Sequence, residues 1–298
     1  MAGLAKVVLT DYVWDSLEVE KKTLAGLGEL VPLQTKKPDE IIARYGIGVD
    51  TIDLDAATAA GIIVTNNPTY CIEEVAEHTM ALLLSAARKI TFYDRQVRAG
   101  KWEVPPGKPI QRLAGGTLGL VGFGNIARQV AIRAAAFGMK VLFFDPFVKD
   151  GQFDAPGKKM ELLDMLRQSD FVSVHPPLTP QTRKSINDEA FAAMKPNAVI
   201  INCARGPVID TDALVRALDA KKIAGAALDT TDPEPLPDPH PLRGRENVII
   251  NPHAAWYSEQ AMVGLQAGAP GEVRRVLSGV WPVNVVNKAV KGKNRAGL

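Results

Sequence analysis

The stretch that most constrains how this chain can fold is 116–146, GTLGLVGFGNIARQVAIRAAAFGMKVLFFDP. Thr117–Val121 is a short apolar run typical of a buried strand, and a glycine-containing turn follows it. Asn125–Gly138 has the apolar spacing of a helix, and Lys140–Phe144 is a second apolar run that ends on Asp145. The stretch therefore predicts a strand–helix–strand unit with two parallel strands.

The turn in this unit has the pattern Gly122-x-Gly124-x-x-Ala127. Gly122 permits a tight turn, Gly124 lets the backbone approach a pyrophosphate, and Ala127 stays small where the helix packs on the strand. The first helical residues, Asn125 and Ile126, offer N–H groups at the positive end of the helix dipole. The spacing predicts a dinucleotide-binding turn; the alternative is a plain packing turn of the same unit.

The acidic residue at the end of the second strand distinguishes between two dinucleotides. Asp145 lies 21 residues after Gly124, where a carboxylate accepts hydrogen bonds from the adenosine ribose hydroxyls and repels a 2′-phosphate. Pro146 and Phe147 follow it, so no arginine stands directly behind it. The sequence therefore favours NAD over NADP as the cofactor.

Composition argues against several other functions. A net charge of +2 gives no electrostatic case for nucleic acid or an anionic membrane as a partner. No apolar run reaches the ~20 residues of a membrane span, and Met1–Thr10 lacks a signal-peptide layout, which predicts a cytoplasmic protein. Cys71 and Cys203 make neither a disulfide framework nor a zinc cluster, so no metal site is expected. Cys203 is interpreted as a packing residue rather than a nucleophile.

After Asp145 the pattern alternates between strands and helices, as in a doubly wound parallel sheet of the Rossmann type. The predicted strands are Phe171–Val174, Ala198–Asn202, Gly225–Leu228 and Asn247–Ile250, and the predicted helices are Glu161–Gln168, Asp188–Met194, Thr211–Ala220 and Gly264–Gly279. We therefore expect an α/β protein.

The N-terminal part contains a junction that does not fit this pattern. Strand-like runs at Leu30–Leu33 and Ile41–Tyr45 are separated only by Gln34–Glu40, whereas parallel neighbours need a crossover of about a dozen residues. Either these two strands are not adjacent and parallel, or part of a domain is missing here.

The helix predicted over Glu73–Ile90 is apolar on most of its circumference. Such a helix is buried, either between domains or in a subunit interface. The second interpretation suggests a homodimer.

The residues after the predicted strands carry the chemistry, because ligands of open parallel sheets bind at the carboxyl ends of the strands. Beyond the glycine turn and Asp145, those ends carry His175, Arg205, Asp229 and His253, and Glu234 follows Asp229 by five residues. An arginine can hold a carboxylate through two hydrogen bonds, and a histidine oriented by a glutamate can exchange a proton with a carbonyl oxygen. Beside a nicotinamide, this set suggests reduction of a 2-keto acid.

Each of these residues also has a structural interpretation. Arg205 could cap a carbonyl, His253 could be a packed histidine, and Glu234 could be a solvated loop residue. Asp229 could cap the segment that follows it, and His175 could belong to the core.

Four stretches together resemble the D-isomer-specific 2-hydroxyacid dehydrogenase family. They are ARYGIGVDTIDLDAAT, LGLVGFGNIA, INCARGPVIDTDALVRAL with GAALDTTDPEP, and NPHAAWYSEQ. The resemblance covers nearly all of the chain from Ile41 onward, and the last stretch resembles the C-terminal-binding-protein branch in particular. It implies that Arg205 binds the substrate carboxylate, that His253 is the acid/base, and that Glu234 is the partner of His253.

The resemblance also implies the remaining roles. Asp229 would contact the nicotinamide carboxamide, and Trp256 would wall the substrate pocket, unless Trp256 is a core residue. His175, Pro176, Cys203 and Ala204 would line the cofactor site, and the amides of Ile47 and Gly48 would help to hold the substrate carboxylate.

For domains, the resemblance implies a flavodoxin-like substrate domain formed by 1–72 and 265–298, and an NAD-binding domain formed by 73–264. Between Leu33 and Ile41 the family has a helix, a central strand and another helix, so the substrate domain is shortened, either by an absent segment or by rearrangement. The implied function is an NAD-dependent D-2-hydroxyacid dehydrogenase acting on a small 2-keto or 2-hydroxy acid. The alternative is an NAD(H)-responsive binding protein or corepressor of the C-terminal-binding-protein type. The sequence does not identify the 2-keto acid or the direction of the reaction.

Overall fold

A computed structural model describes residues 5–9, 14–32, 41–110 and 112–298 of the chain. The chain divides into two compact units, Met1–Cys71 with Tyr257–Leu298, and Ile72–Trp256. The assignment of one unit as the substrate domain and the other as the NAD-binding domain, with the limits given above, stays a prediction. None of the described helices is long and apolar enough to span a membrane.

The helices and strands are numbered in chain order. They are β1 (Ala5–Leu9), α1 (Glu18–Leu24), β2 (Gly28–Pro32), β3 (Ile41–Ala43), α2 (Leu54–Ala59), β4 (Ile63–Thr65), α3 (Ile72–Arg88), α4 (Ile90–Arg98), β5 (Thr117–Val121), α5 (Asn125–Ala136), β6 (Lys140–Phe144), β7 (Lys158–Lys159), α6 (Leu162–Gln168), β8 (Phe171–Val174), α7 (Asp188–Ala193), β9 (Val199–Asn202), α8 (Thr211–Asp219), β10 (Gly225–Leu228), β11 (Val248–Ile250) and α9 (Glu259–Leu277).

The second unit contains a seven-stranded sheet in the order β11-β10-β9-β8-β5-β6-β7, and every pair in it is parallel. The order reverses direction between β5 and β8, which confirms the doubly wound sheet. In such sheets this reversal opens a crevice at the carboxyl ends of the strands. Strands β8, β9 and β10 are buried along their whole length, as expected for strands covered by helices on both faces.

Helix α3 is buried for a reason that the sequence analysis did not consider. Its apolar face packs on α5, β9 and β10 of the same unit, so neither a domain boundary nor a subunit interface is needed to explain its composition. The helix also ends earlier than predicted, because Lys89 adopts a left-handed conformation (φ 58°) and α4 starts at Ile90. Neither α4 nor the short edge strand β7 was predicted.

In the first unit the described strands form two separate parallel pairs, β1 with β2 and β3 with β4. Strands β2 and β3 therefore are not neighbours, which is the first of the two alternatives raised by the short junction. Among the described residues no strand joins the two pairs into one flavodoxin-like sheet. Residues 33–40, where a chain break or a missing segment would be found, lie outside the described residues.

The C-terminal part of the chain completes β4 and extends α9 beyond its prediction. Ser258 caps α9 by accepting a hydrogen bond from Ala261 N (2.9 Å), so the helix starts five residues before the predicted Gly264. Asn287 lies along the edge of β4, where its Oδ1 accepts from Val64 N (2.8 Å) and its Nδ2 donates to Ile62 O (2.9 Å). These bonds satisfy backbone groups that an unpaired strand edge would leave open.

The first unit contains a buried acid on its first helix. Glu20 of α1 is fully buried, and Gln266 Nε2 lies 3.5 Å from its Oε1. Desolvation raises the pKa of Glu20 above its ordinary value, although hydrogen bonds from its own backbone, Trp14 and Gln266 act in the opposite direction. The folded unit therefore favours the neutral acid.

The substitution Glu20→Gln is expected to remove a pH-dependent loss of stability. Because folding raises the pKa of Glu20, the folded state binds the proton more tightly than the unfolded state. The free energy of unfolding therefore falls as the pH rises above the ordinary glutamate pKa, until the raised pKa is passed. Glutamine does not titrate, so the variant should gain stability relative to the wild type across about pH 4 to 8 in denaturant unfolding.

The matched control is Glu18→Gln on the same helix, where the exposed Glu18 pairs with Lys21. This control should keep the wild-type pH dependence. Parallel stability curves for Glu20→Gln and the wild type would contradict the interpretation.

Candidate active site

The predicted site residues of the second unit lie at one edge of its sheet. The glycine turn follows β5, Asp145 follows β6, His175 and Pro176 follow β8, Cys203 to Arg205 follow β9, Asp229 follows β10, and His253 follows β11 by three residues. Because all seven strands are parallel, these are all carboxyl ends of strands. Arg205 and His253 therefore lie on the same edge as the glycine turn.

Gly122 is required by both its conformation and its surroundings. It has φ +84°, which side-chain-bearing residues rarely adopt, and its N–H donates to Phe144 O (2.7 Å). A Cβ at this position would lie 3.0 Å from Pro176 N and 3.3 Å from the carbonyl carbon of His175. The glycine turn thus packs directly on the end of β8.

Gly124 is surrounded differently. It precedes α5 with an ordinary φ of −73°, and a Cβ built there would meet no atom within 4 Å. The fold itself therefore does not require glycine here, whereas a ligand approaching the first N–H groups of α5 would. The open space at Gly124 and the helix start at Asn125 and Ile126 fit the pyrophosphate of a dinucleotide.

Asp145 holds the turn as well as ending β6. Its Oδ2 accepts from Phe123 N (2.9 Å), inside the glycine turn, and its Oδ1 accepts from Phe147 N (2.8 Å). Phe123 also stacks on Phe143 at 3.9 Å between ring centroids. Carboxylate oxygens accept more than one hydrogen bond, so Asp145 keeps the capacity to bind ribose hydroxyls.

His175 is neutral at physiological pH. Its Nε2 lies 2.9 Å from Ser173 Oγ, and desolvation of the ring lowers the pKa of His175 to about 4. A neutral ring does not bring a positive charge to the edge of the sheet, so His175 can line a site without binding an anion as an ion pair.

The clearest catalytic geometry joins His253 to Glu234. His253 Nδ1 lies 2.7 Å from Glu234 Oε1, and the two side chains are 39% and 43% exposed. A carboxylate only accepts, so Nδ1 carries the proton and Nε2 is the ring nitrogen that can exchange a proton with another molecule.

The loop that carries Glu234 is fixed against the turn after β9. Thr211 Oγ1 donates to Asp232 O (2.8 Å), and Thr231 Oγ1 donates to Pro233 O (2.9 Å). A Cβ on Gly206 would lie 1.8 Å from Thr231 O, so only glycine permits this close approach. Arg205 directly precedes Gly206, so the backbone of Arg205 is held close to the loop that carries Glu234.

The backbone around Arg205 is held by a side chain at the end of β9. Asn202 Nδ2 donates to Arg205 O (2.9 Å), and its Oδ1 accepts from Ala204 N (3.0 Å). Arg205 is half-buried, and its Nη1 donates to Ala204 O (2.8 Å). The arginine is therefore held at the edge of the sheet.

Asp229 holds the turn that presents His253. Its carbonyl oxygen accepts from His253 N (2.8 Å), its Oδ1 from Ala254 N (2.9 Å) and its Oδ2 from Ala255 N (3.0 Å). His253 has φ +56°, a left-handed conformation uncommon for a residue with a side chain. Asp229 therefore caps the turn at residues 253–255 instead of the segment that directly follows it in the chain. Its contact with a nicotinamide stays a prediction.

Cys203 is buried, which raises its pKa to about 12, with the nearby charge of Asp229 acting in the same direction. A thiol with this pKa is protonated at neutral pH, which favours the packing interpretation over a nucleophile. Among the described residues, no group of three or more His, Cys, Asp or Glu side chains could hold a metal ion.

Three further residues were predicted to bind the substrate. Ile47 and Gly48 lie in a loop of the first unit, where Asn66 Nδ2 donates to Ile47 O (2.8 Å). Trp256 is half-buried at the end of the second unit. The structure leaves their substrate-binding roles as predictions.

One residue near the site was missed by the sequence analysis. His78 of α3 places its Nε2 3.4 Å from Asp229 Oδ1. The signal in the sequence was the polar pair His78–Thr79 beside the apolar residues of this helix.

Residues 80–255 match the sequence profile described as "D-isomer specific 2-hydroxyacid dehydrogenase, NAD binding domain", which covers more than half of the chain. The chain belongs to the D-isomer specific 2-hydroxyacid dehydrogenase family. This confirms the resemblance drawn from the four sequence stretches, and with it NAD as the cofactor of the dinucleotide turn.

Relatives within this family are named as dehydrogenases and reductases. The chain is 42% identical over 250 residues to D-3-phosphoglycerate dehydrogenase of Methanocaldococcus jannaschii, covering 83% of this chain and 47% of that protein. It is 41% identical over 256 residues to glyoxylate reductase of Thermofilum pendens, covering 84% and 76%. The D-lactate dehydrogenase structure from Aquifex aeolicus, complexed with NAD and lactic acid, superposes with a TM-score of 0.74 at 30% identity, covering 86% and 79%. The chain spans about half the length of the phosphoglycerate dehydrogenases that it matches.

The two glycines of the turn are expected to respond differently to alanine. Gly124→Ala should leave the thermal unfolding midpoint unchanged, because a Cβ at this position meets no atom of the protein within 4 Å. The same substitution should weaken NADH binding by about ten-fold or more, which corresponds to the loss of about one hydrogen bond to the cofactor. Gly122→Ala should lower both stability and NADH affinity, because φ +84° and the end of β8 both oppose a Cβ. Calorimetric melting and NADH fluorescence titration measure the two effects. Equal destabilisation by both variants would refute the assignment.

Proposed function

We propose that the chain is an NAD-dependent D-2-hydroxyacid dehydrogenase that transfers hydride between NADH and a small 2-keto acid. The observation that carries this proposal is the 2.7 Å contact between His253 Nδ1 and Glu234 Oε1, on the same sheet edge as the dinucleotide turn. The named activities of the relatives also support it.

The bound nicotinamide supplies or accepts the hydride. Arg205, with its planar guanidinium, would bind the substrate carboxylate through two parallel hydrogen bonds, and the Ile47 and Gly48 amides would assist it. His253 Nε2 would donate a proton to the carbonyl oxygen during reduction and accept it back during oxidation. Glu234 would keep the other ring proton on Nδ1, which fixes both the ring orientation and the nitrogen that reacts.

The test is a panel of 2-keto acids, including glyoxylate, pyruvate and 3-phosphohydroxypyruvate, followed by NADH oxidation. Turnover should be found with at least one, and its product should be the D-2-hydroxy acid. His253→Gln should lower kcat by about 10²–10⁴-fold because the proton donor is lost. Arg205→Lys should mainly raise KM for the acid, because lysine loses the two-point contact.

Two controls make this result specific. Arg216→Lys changes an exposed arginine paired with Asp188 and should behave as the wild type. With the amide of the active keto acid as substrate, the difference between Arg205→Lys and the wild type should shrink, because no carboxylate is present. NADH binding without turnover on any acid would favour the alternative, an NAD(H)-responsive binding protein of the C-terminal-binding-protein type.

The proposal also includes a homodimer in the cytoplasm. Its interface is placed on helix α4 and the following loop instead of on the apolar helix predicted over Glu73–Ile90. Helix α4 and the loop after it expose large apolar side chains, with Trp102 86% exposed and Val104 64% exposed. A cleft of about 610 Å³ lies beside them, with Phe92, Pro106, Pro109 and Leu218 among its lining residues. The cleft lining also includes the charged residues Lys89, Lys108, Lys221 and Glu246. Exposed apolar side chains on one surface can pair with a second copy around a two-fold axis.

The double substitution Trp102→Ser and Val104→Ser is expected to shift the protein toward monomer in sedimentation velocity, because it removes exposed apolar area from this surface. Phe147→Ser removes an equally exposed apolar side chain after β6 and should leave the oligomeric state unchanged. A wild-type monomer at all concentrations would contradict the dimer.

A further inference from the structure

A buried polar cluster lies behind the His253 turn. Helix α3 packs on β9 and β10 and brings His78 and Thr79 toward the ends of those strands. His78 Nε2 lies 3.4 Å from Asp229 Oδ1, and the hydroxyl of Thr79, which donates to Val75 O (2.7 Å), lies near the thiol of Cys203. The mechanism above uses neither His78 nor Thr79.

Asp229 is the centre of this cluster. It is 1% exposed, so its carboxylate depends on protein donors. Ala254 N and Ala255 N supply one donor to each oxygen, and the imidazole of His78 faces the oxygen that Ala254 uses. His78 Nε2 is itself buried and, among the described residues, has no partner in hydrogen-bond geometry.

His78 and Asp229 stand at ion-pair distance, outside hydrogen-bond geometry. A carboxylate can only accept, and a protonated imidazole, or the neutral tautomer with its proton on Nε2, can donate. At low local dielectric a charge on His78 would attract Oδ1 strongly and compete with Ala254 N–H for it. The side chain of His78 is 24% exposed, so protons can reach it from solvent.

We propose that His78 is a positioning residue for the His253 turn. Its Nε2 lies at ion-pair distance from Asp229 Oδ1, and a proton on that nitrogen changes the bonds through which Asp229 holds Ala254 and Ala255. The contact between His78 and Asp229 is seen in the structure and does not depend on the proposed function. Its effect on turnover rests on the proposed role of His253.

Other ionisable groups on the neighbouring elements are accounted for. Strands β9 and β10 carry none. Helix α5 contributes Arg133, which pairs with Glu73 and Glu77, and Arg128, which donates to Phe123 O and Asn125 Oδ1. The remainder are Glu74 and Arg88 on α3, Cys203 after β9, and Tyr93, Asp94, Arg95 and Arg98 on α4. Of these, Asp94 and Arg98 pair together, Arg95 donates to Glu246 O, and Tyr93 donates to Val104 O.

The direct test follows the backbone amides of Ala254 and Ala255 by NMR across about pH 5 to 8. It uses the His253→Asn chain, which removes the neighbouring imidazole while keeping a residue that tolerates left-handed φ. His175, with a pKa of about 4, and Cys203, with a pKa of about 12, do not titrate in this window. Both amides should shift with pH as long as His78 is present, and Ala254 should shift more because His78 faces its acceptor oxygen.

Adding His78→Gln should abolish these shifts, and adding the matched His240→Gln on a distant loop should leave them unchanged. Amides that do not titrate in His253→Asn, or that titrate equally with and without His78, would overturn the proposal. This readout needs no turnover, so it decides the role of His78 even if every 2-keto acid fails as a substrate.

The kinetic consequence is measured on the otherwise unchanged chain. His78→Leu removes the polar group that faces Asp229 and should lower kcat roughly ten-fold with little change in KM. His78→Gln places an N–H group there again and should recover kcat. A purely structural role predicts a lower melting temperature with unchanged kcat, or no recovery by glutamine, and either result would overturn the positioning role.

Discussion

The candidate site depends on one buried carboxylate that holds three consecutive residues. Through its main-chain oxygen and both carboxylate oxygens, Asp229 accepts the N–H groups of His253, Ala254 and Ala255. A left-handed residue such as His253 costs conformational free energy and persists only when its surroundings fix it. Losing those donors would leave a buried carboxylate unsatisfied, at a cost of several kcal/mol. The end of β10 and the turn after β11 are therefore locked together.

The His253–Glu234 pair has a different role, because its strength is modest. Both side chains are more than one third exposed, and exposed ion pairs contribute only about 0–1 kcal/mol to stability. The pair thus orients the imidazole without holding the loop in place. The loop is held instead by the contact between Gly206 and Thr231 O and by the hydrogen bond from Thr211 to Asp232. Stability and orientation are supplied by separate groups, so the exposed pair remains accessible to a substrate.

The sheet determines which residues can take part at all. Parallel strands bring every carboxyl end to one edge, so residues far apart along the chain become neighbours. The neighbouring turns then constrain each other. Gly122, for example, packs on Pro176, and its N–H donates to Phe144 O. Asp145 links the same turn to the end of β6. In the first unit, by contrast, the described strands form only two pairs, and burial raises the pKa of Glu20.

The sequence alone determined the strands of the second unit except β7, the glycine turn and the family, because these follow from local apolar runs and from short motifs whose geometry is fixed by a few adjacent residues. It also identified Arg205, Glu234 and His253 as candidates, since the ends of parallel strands are predictable positions. Only the tertiary structure decided that Glu234 reaches His253, 19 residues away, that α3 packs within its own unit, and that His78 faces Asp229. The physical reason is that contacts between distant segments depend on how the helices cover the sheet. An apolar helix pattern predicts that the helix is buried, but it does not predict which elements pack on it.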